Sequence, residues 1–298
     1  MPTEHAPPCH RLTGIGDEAA ADLEGQIAAV QALGWSALEL RTVNGTAMAD
    51  LGPAAFRGLV DRLRDARVDV VCLASRIGNW ARPVTGSFDD DLAELETLAQ
   101  QCAVLRCRHV RIMSYPNDGL AEAEWARRVL DRMSRLARVA EQAGITLVHE
   151  NCAGWAADRA DRMLRLVEDT GSPALRLLFD TGNGVPHGYD AYELLEKVLP
   201  YVAHVHVKDA VRTGDETVYT LPGEGRARVA ACLRLLRESG YSGWLSLEPH
   251  LAVRPHKGLR SHGDAPALFV RAGQRLRLLL DAPAAPVPAG DRGSGAGR

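Results

Sequence analysis

The sequence predicts an α/β protein folded as a single (β/α)8 barrel, and three observations lead to this prediction. Short apolar runs alternate along the chain with amphipathic segments, which is the pattern of strand followed by helix. Four of the later runs close on a potential metal ligand, at Glu150, Asp180, His206 and Glu248. The 298 residues are enough for one barrel of about 250 residues with a tail.

The N-terminal half provides the first four strands. They are predicted at 11–16, 37–41, 68–74 and 109–113, each followed by a helix, at 17–33, 53–66, 89–105 and 122–142. Asp17 and Glu18 suit the start of the first helix, Gly34 its end, and Pro53 the start of the second. The fourth helix is rich in arginine, and its charges are interpreted as a solvated face.

The C-terminal half provides the remaining strands and a tail. Strands are predicted at 145–149, 175–179, 202–205 and 244–247, with helices at 158–168, 189–199, 226–239 and 265–280. Residues 11–281 then form one catalytic domain. Residues 1–10 are expected to be a loose leader, and 282–298, rich in Pro, Ala and Gly, a disordered tail, because such a composition buries little apolar surface.

Composition restricts the class of protein. Hydrophobic residues make up 46% and charged residues 24%, which are ordinary globular values. A net charge of −3 gives no basic footprint for nucleic acid, and no apolar run of 18 residues predicts a membrane span. The six cysteines show no C-x-x-C pair and suit buried thiols in a reducing compartment. We therefore expect a soluble, cytoplasmic protein without nucleic-acid or membrane partners.

The four strand-end residues predict a metal site. In a parallel barrel the carboxyl-terminal ends of all strands meet at one mouth, so residues far apart in sequence become neighbours there. Glu150, Asp180, His206 and Glu248 would supply three carboxylates and one imidazole. This oxygen-rich set suits Mn²⁺ best, or Mg²⁺, with Zn²⁺, Fe²⁺ and Co²⁺ as alternatives.

Several local motifs resemble those of a known family. They are Gly34-Trp-Ser-Ala-Leu-Glu-Leu-Arg41, His149-Glu-Asn151, Phe179-Asp-Thr-Gly182, His204-Val-His-Val-Lys-Asp209, Gly223-Glu-Gly225 and Leu247-Glu-Pro-His250. On these the chain resembles the sugar phosphate isomerase/epimerase superfamily of xylose-isomerase-like TIM barrels. That group includes ketose 3-epimerases, inosose dehydratases, dehydroshikimate dehydratases and endonuclease IV. The resemblance extends over about residues 12–280 in the order of elements.

The resemblance implies specific roles for the four strand-end residues. Glu150, Asp180, His206 and Glu248 occupy the positions of the family's divalent-metal ligands. In the epimerase branch the two glutamates also form the acid/base pair, which implies catalytic roles for Glu150 and Glu248. A small-molecule sugar or cyclitol substrate and a homodimer are further expectations from the family.

The expected substrate wall departs from that of ketose 3-epimerases. Asn183 stands where those enzymes have a substrate-binding histidine, Ala156 replaces an extra glutamate, and Arg212 falls at the place of their arginine. The candidate substrate-binding residues are Lys208, Asn183, His187, Arg212, Trp155 and His250. For Lys208 two interpretations stay open: contact with substrate as an acid or oxyanion binder, or an ion pair with Asp209 or Glu224.

Two neighbours of the ligands have alternative interpretations. His204 lies two residues before His206 on the same strand face, so it is expected deeper in the barrel, supporting the site or simply packed in the core. Asn151 either orients Glu150 or caps a helix. Trp155, in the loop after Glu150, is the best-placed tryptophan for stacking on a substrate ring.

These residues predict metal-assisted proton transfer at a carbon next to a carbonyl. The first interpretation is an isomerase or epimerase of a keto-sugar or related polyol. The alternatives are a metal-dependent lyase or dehydratase of a cyclitol or keto-sugar in a specialised pathway, and a non-catalytic metal-binding partner subunit. DNA repair is disfavoured, because strands one to four end on Gly16, Glu39, Ser75 and Ser114 rather than on additional histidines.

Overall fold

Eight parallel strands form one curved sheet in the computed structural model, which describes residues 11–254, 259–260 and 264–282. The strands are β1 Arg11–Gly14, β2 Ala37–Leu40, β3 Asp69–Ala74, β4 His109–Ser114, β5 Thr146–Gly154, β6 Leu175–Asp180, β7 Val202–Val207 and β8 Trp244–Leu247. They pair in the order β1-β8-β7-β6-β5-β4-β3-β2, and a single bridge between Ile15 and Glu39 joins the two ends of the sheet. The predicted barrel is thus confirmed.

In the part of the chain that the structure describes, eight helices of at least eight residues connect or follow these strands. They are α1 Leu23–Ala32, α2 Pro53–Ala66, α3 Asp89–Leu105, α4 Glu122–Ala143, α5 Ala160–Thr170, α6 Ala191–Val198, α7 Val229–Glu238 and α8 Ala265–Asp281. Shorter helical turns lie at Gly16–Glu18, Met48–Asp50, Gly184–His187 and Leu199–Tyr201. The helix layer and the outer face of the strands share one large apolar cluster, and a smaller cluster fills the barrel interior around Val71, Val148 and Leu178.

The first helix begins later than the sequence suggests. Asp17 and Glu18 lie in the helical turn Gly16–Glu18, where both carboxylates bind Arg41, so they are not the first turn of α1. Asp22 caps α1 instead, because its side chain accepts a hydrogen bond from the Gly25 backbone N–H at 2.9 Å. Asp17 and Glu18 therefore lie outside α1 and face Arg41 at the barrel mouth.

Two-stranded hairpins extend three of the loops at the carboxyl-terminal end of the barrel. They are Thr42–Val43 with Thr46–Ala47, Asp209–Thr213 with Glu216–Thr220, and Val253–Arg254 with Leu259–Arg260. The second of these, called here the β7 hairpin, follows β7 directly. Its residue Tyr219 reaches the cleft described below.

The remaining sequence expectations concern termini, thiols and membranes. The predicted leader and the predicted tail beyond Ala282 lie outside the described residues. Cys72, Cys102, Cys107, Cys152 and Cys232 are free thiols, whereas Cys9 is not among the described residues. Within the described part of the chain, no helix combines the length and the apolar character needed to cross a membrane.

Candidate active site

The four expected metal ligands lie together at the carboxyl-terminal ends of β5 to β8. One ligand atom from each of Glu150, Asp180, His206 and Glu248 lies within 4.8 Å of the others, and all four side chains are buried. The Nδ1 atom of His206 is 3.7 Å from Glu150 Oε1, 3.9 Å from Asp180 Oδ2 and 3.5 Å from Glu248 Oε2. We call these four residues the quartet.

The chemistry of the quartet fits a divalent cation. Among the described residues, His206 Nδ1 has no hydrogen-bond partner although it is fully buried, and it faces three carboxylate oxygens. A buried nitrogen lone pair grouped with carboxylate oxygens is a donor set used for Mn²⁺, Zn²⁺ and related ions. The residues present are therefore suited to hold such an ion.

The second oxygen of each carboxylate is held by the protein. Arg111 Nη1 donates to Glu150 Oε2 at 3.2 Å, and Arg41 Nη1 donates to Glu248 Oε1 at 2.8 Å. Asp180 Oδ1 accepts hydrogen bonds from the backbone N–H groups of Gly182 and Asn183 at 2.7 and 2.8 Å. These contacts leave Glu150 Oε1, Asp180 Oδ2 and Glu248 Oε2 directed toward His206.

Lys208 contacts two members of the quartet. Its Nζ lies 2.9 Å from Asp180 Oδ2 and 2.8 Å from Glu248 Oε2. The ion pairs are therefore not with Asp209 or Glu224, the partners that the sequence offered. Asp209 is occupied elsewhere, because its carboxylate accepts backbone hydrogen bonds from the loop that follows the β7 hairpin.

Burial and charge act in opposite directions on the quartet. Burial raises the pKa of Asp180 to about 6, although Lys208 opposes the shift. Burial would also raise the pKa of Glu150, but Arg111 and His206 outweigh it and lower that pKa. For Glu248, Lys208 and His250 overcome burial and hold the pKa well below its usual range. Both glutamates are thus ionised at neutral pH and able to accept a proton.

A cleft of about 310 Å³ opens beside the quartet. Four of the expected substrate-binding residues line it, namely Asn183, His187, Lys208 and His250. Sequence reasoning missed other side chains of its wall, among them Trp80, Met113 and Tyr219. The volume is at the small end of the range for ligand pockets and suits a molecule of monosaccharide size.

Two of these lining residues also orient other groups. Asn183 Nδ2 donates to Glu150 Oε1 at 3.2 Å, so it contacts a quartet carboxylate rather than only the cleft. His250 Nδ1 pairs with Glu18 at 3.0 Å, and its ring stacks edge-on against Tyr219 with centroids 4.9 Å apart. The acidic residues of the Gly16–Glu18 turn therefore support the mouth of the cleft.

Trp155 and Arg212 require a correction. Trp155 is 2% exposed, and its indole N–H donates to Glu122 at 2.8 Å, which directs the ring into the protein. Arg212 is exposed on the β7 hairpin and donates to the Gly214 carbonyl at 3.3 Å. Neither belongs to the described lining of the cleft, so the structure does not bring them to the site.

Asn151 has neither of its two expected roles, whereas His204 lies deeper in the barrel than His206, as expected. Asn151 accepts from the Asp180 backbone N–H at 2.6 Å and donates to the Asp180 carbonyl at 2.9 Å, so it links β5 to β6. It neither orients Glu150 nor caps a helix, because β5 continues to Gly154. His204 lies below His206, where its Nε2 donates to Glu39 at 2.8 Å.

Arg111 and Glu39 are among the supporting residues that sequence reasoning did not assign. Arg111 interrupts an otherwise apolar part of β4, and Glu39 does the same in β2. The sequence did contain a signal for both residues, namely a charged residue inside an apolar strand. Such a residue is expected to pair with another group in the barrel interior, because charged side chains are almost never fully buried unless they are paired. The sequence placed Glu39 at the end of the second strand, without a partner.

The fold and the quartet define a parallel α/β barrel with a candidate divalent-metal centre at its carboxyl-terminal mouth. A model of the family described as the xylose isomerase-like TIM barrel matches residues 27–265. Because this match covers most of the chain, the protein belongs to that family.

Curated relatives include dehydratases. Inosose dehydratase of Geobacillus kaustophilus (strain HTA426) is 30% identical over 144 residues, which are 43% of this chain and 46% of the relative. Inosose dehydratase of Clostridium beijerinckii is 29% identical over 145 residues, 43% of this chain and 47% of the relative. The chain thus spans about half the length of the curated relatives it matches.

Solved structures of the same fold include several activities. The IolI protein with a bound zinc atom matches with a TM-score of 0.69 at 16% identity, covering 91% of this chain and 98% of that one. An L-ribulose 3-epimerase matches with a TM-score of 0.67 at 21% identity, covering 91% and 95%. A probable 3-DHS dehydratase from Bacillus anthracis matches with a TM-score of 0.69 at 14% identity, covering 90% and 98%. At these identities the likeness is one of fold.

Proposed function

We propose that this protein is a divalent-metal-dependent enzyme that transfers a proton at a carbon next to a carbonyl group. Its substrate would be a keto-sugar, a cyclitol or a related polyol of monosaccharide size. The observation that carries the proposal is the quartet, in which Glu150 and Glu248 each keep one oxygen toward His206 while an arginine holds the other. Such carboxylates are fixed in place, with one oxygen of each directed into the site.

The quartet would hold the metal through Glu150, Asp180, His206 and Glu248. Mn²⁺ is the first candidate, with Mg²⁺, Zn²⁺, Fe²⁺ and Co²⁺ as alternatives. The zinc atom in the IolI structure supports a metal in this fold. When bound, the ion would act as a Lewis acid that polarises a carbonyl oxygen and so acidifies the adjacent C–H.

The chain's own residues would then move the proton. Glu150 lies on β5 and Glu248 directly follows β8, with two strands between them in the sheet, so they approach a ligand in the cleft from different sides. One would accept the proton and the other would return it, which gives isomerisation or epimerisation. Arg111 and Asn183 would keep Glu150 oriented during the transfer, because each donates a hydrogen bond to it.

Loss of water is the second candidate outcome. Two observations favour it: the inosose dehydratases among the relatives, and the ammonium group of Lys208 at the cleft. Asp180 and Glu248 outweigh the effect of burial and raise the pKa of Lys208 well above its usual range, so the group stays protonated. It would donate a hydrogen bond to the departing hydroxyl group, which would leave as water with the proton that a quartet glutamate removes from the adjacent carbon, and this supports a lyase of a cyclitol or keto-sugar.

Elemental analysis and deuterium exchange test the proposal together. Purified wild type is compared with Glu150→Gln, His206→Ala and the control Glu216→Gln, an exposed carboxylate of the β7 hairpin. We expect one metal ion in the wild type and the control, and loss of metal in both quartet variants. A panel of ketoses and inososes in D₂O is then followed by NMR for exchange at one C–H.

The outcomes separate the candidate functions. Exchange with recovery of an epimer or isomer supports the first, and a product with a new C=C bond supports the dehydratase. Metal without exchange on any panel member contradicts enzymatic proton transfer and leaves a metal-binding partner subunit. A wild type without stoichiometric metal overturns the whole proposal.

A further inference from the structure

A carboxylate lies buried in the barrel interior directly below the quartet. Glu39 on β2 is fully buried and contacts two imidazoles of β7. Its Oε2 lies 2.8 Å from His204 Nε2, and its Oε1 and Oε2 lie 3.0 and 3.1 Å from His206 Nε2. Both histidines therefore turn the same ring nitrogen toward one carboxylate.

This contact determines which nitrogen of His206 carries hydrogen. An ionised carboxylate only accepts hydrogen bonds, so the Nε2 atoms of both rings must be protonated. The Nδ1 atom of His206 is then left for the quartet, where it faces three carboxylate oxygens.

The position of Glu39 makes a purely structural role costly. The interior of an α/β barrel is ordinarily filled by branched apolar side chains, and an ionised carboxylate there loses its hydration. The neighbouring interior positions do carry such residues, including Val71, Val148 and Leu178. The Glu39 carboxylate in this layer is therefore explained by its hydrogen bond to the His206 ring above it.

We propose that Glu39 is the positioning residue of the metal site, which holds the Nε2 hydrogen of His206 and thereby presents Nδ1 to the metal. His204 acts one step further away, since it donates to the same carboxylate and fixes its orientation. The inference rests on the proposed function, because it concerns the metal held by the quartet. Hydrogen bonding of this kind orients an imidazole ligand and increases its basicity.

Titration of metal-stripped protein with Mn²⁺ alone tests the inference. The variants are Glu39→Gln and, as a matched control, Thr13→Val, which changes a fully buried interior side chain whose hydroxyl has no described partner. We expect Glu39→Gln to bind Mn²⁺ about 10–100-fold more weakly. Thr13→Val should bind it as the wild type does. Equal binding by Glu39→Gln and wild type overturns the inference.

A spectroscopic measurement on the wild type keeps the test independent of any variant's folding. With ¹⁵N-labelled histidine and Zn²⁺ bound, His206 should show a metal-bound Nδ1 and a protonated Nε2. Zinc on Nε2 would contradict the inference. A wild type that binds neither ion overturns the proposed function and this inference with it, whereas equal Mn²⁺ binding by wild type and Glu39→Gln removes the inference alone.

Discussion

At the scale of single residues, the site is a balance of buried charges. Arg41, Arg111 and Lys208 each contact a quartet carboxylate, so three protein cations lie beside the proposed metal position. Lys208 is the most direct of these, because its ammonium touches the two oxygens of Asp180 and Glu248 that face His206. Metal and lysine must therefore share these oxygens.

Replacing Lys208 by methionine should tighten metal binding. The change removes a like charge a few ångströms from the bound cation, and we expect Mn²⁺ affinity to rise by roughly tenfold or more. The metal-free protein should melt at a lower temperature, because the quartet carboxylates lose their counter-ion. Calorimetric titration and thermal melting of the two proteins measure both effects. Weaker Mn²⁺ binding in the variant would show that Lys208 supports the metal instead.

His109 should make stability depend on pH. Burial, together with the charge of His204, lowers the pKa of His109 to about 4, whereas an unfolded histidine titrates near pH 6.5. Between the pKa of the folded protein and that of the unfolded chain, the unfolded chain binds a proton at His109 that the folded protein does not bind. The free energy of unfolding therefore falls as the pH falls through this range. Above pH 6.5 this contribution is constant.

The variant His109→Gln isolates that contribution. From pH 7 to pH 5 the wild type should lose about 1–2 kcal/mol more stability than the variant. Urea unfolding followed by circular dichroism at pH 7, 6 and 5 gives the comparison. Parallel pH profiles for the two proteins would mean that His109 is protonated in the folded state as readily as in the unfolded one.

At the scale of elements, the loop after the β7 hairpin is held by one side chain. Asp209 Oδ2 accepts from the backbone N–H groups of Gly223 and Gly225 at 2.8 and 2.9 Å, and Oδ1 accepts from that of Ala227 at 3.0 Å. Gly225 must be glycine here, because a Cβ would lie 2.1 Å from Asp209 Oδ1. The two glycines of the Gly223-Glu-Gly225 motif are thus explained by this loop.

Removing the Asp209 carboxylate should destabilise the protein. Asp209→Ala leaves the buried N–H of Ala227 and the less buried N–H groups of Gly223 and Gly225 without this acceptor, and we expect a loss of about 2–4 kcal/mol. Thr213→Ala, an exposed change in the same hairpin, should stay within about 0.5 kcal/mol of the wild type. Urea unfolding measures both values. A loss of stability no larger than that of Thr213→Ala would show that water replaces the Asp209 carboxylate as hydrogen-bond acceptor without a cost in free energy.

At the scale of the whole molecule, α8 closes the barrel beside β1. Phe269 of α8 is 1% exposed and packs edge-on against Trp35, with ring centroids 6.5 Å apart. A Cβ on Gly14 of β1 would lie 2.5 Å from the Phe269 ring, so strand and helix approach closely. The apolar cluster that contains Phe269 also includes residues from every other helix named above.

Phe269→Ala should therefore weaken the entire barrel. We expect a loss of about 3–5 kcal/mol, as for a large cavity, and a single transition seen alike by circular dichroism and tryptophan fluorescence. Leu278→Ala on the same helix is the control, since that side chain is 61% exposed and should change stability little. Separate transitions for the two signals would mean that the α8 end of the barrel unfolds independently.

The sequence by itself determined the architecture and the four quartet positions. Alternating strand and helix patterns decide a parallel barrel, and in any such barrel the residues at the ends of successive strands converge. Glu150, Asp180, His206 and Glu248 were therefore predictable as neighbours from position alone. The helix boundaries followed where a cap or a proline marks them, as at Pro53.

Only the tertiary structure decided what supports the quartet. Whether Arg41 reaches Glu248, or Arg111 reaches Glu150, depends on the stagger of strands that are distant in sequence. Glu39 below His206 and the inward turn of Trp155 depend in the same way on packing. Long side chains select partners by distance in space, and a one-dimensional pattern gives strand ends and faces but no such distances.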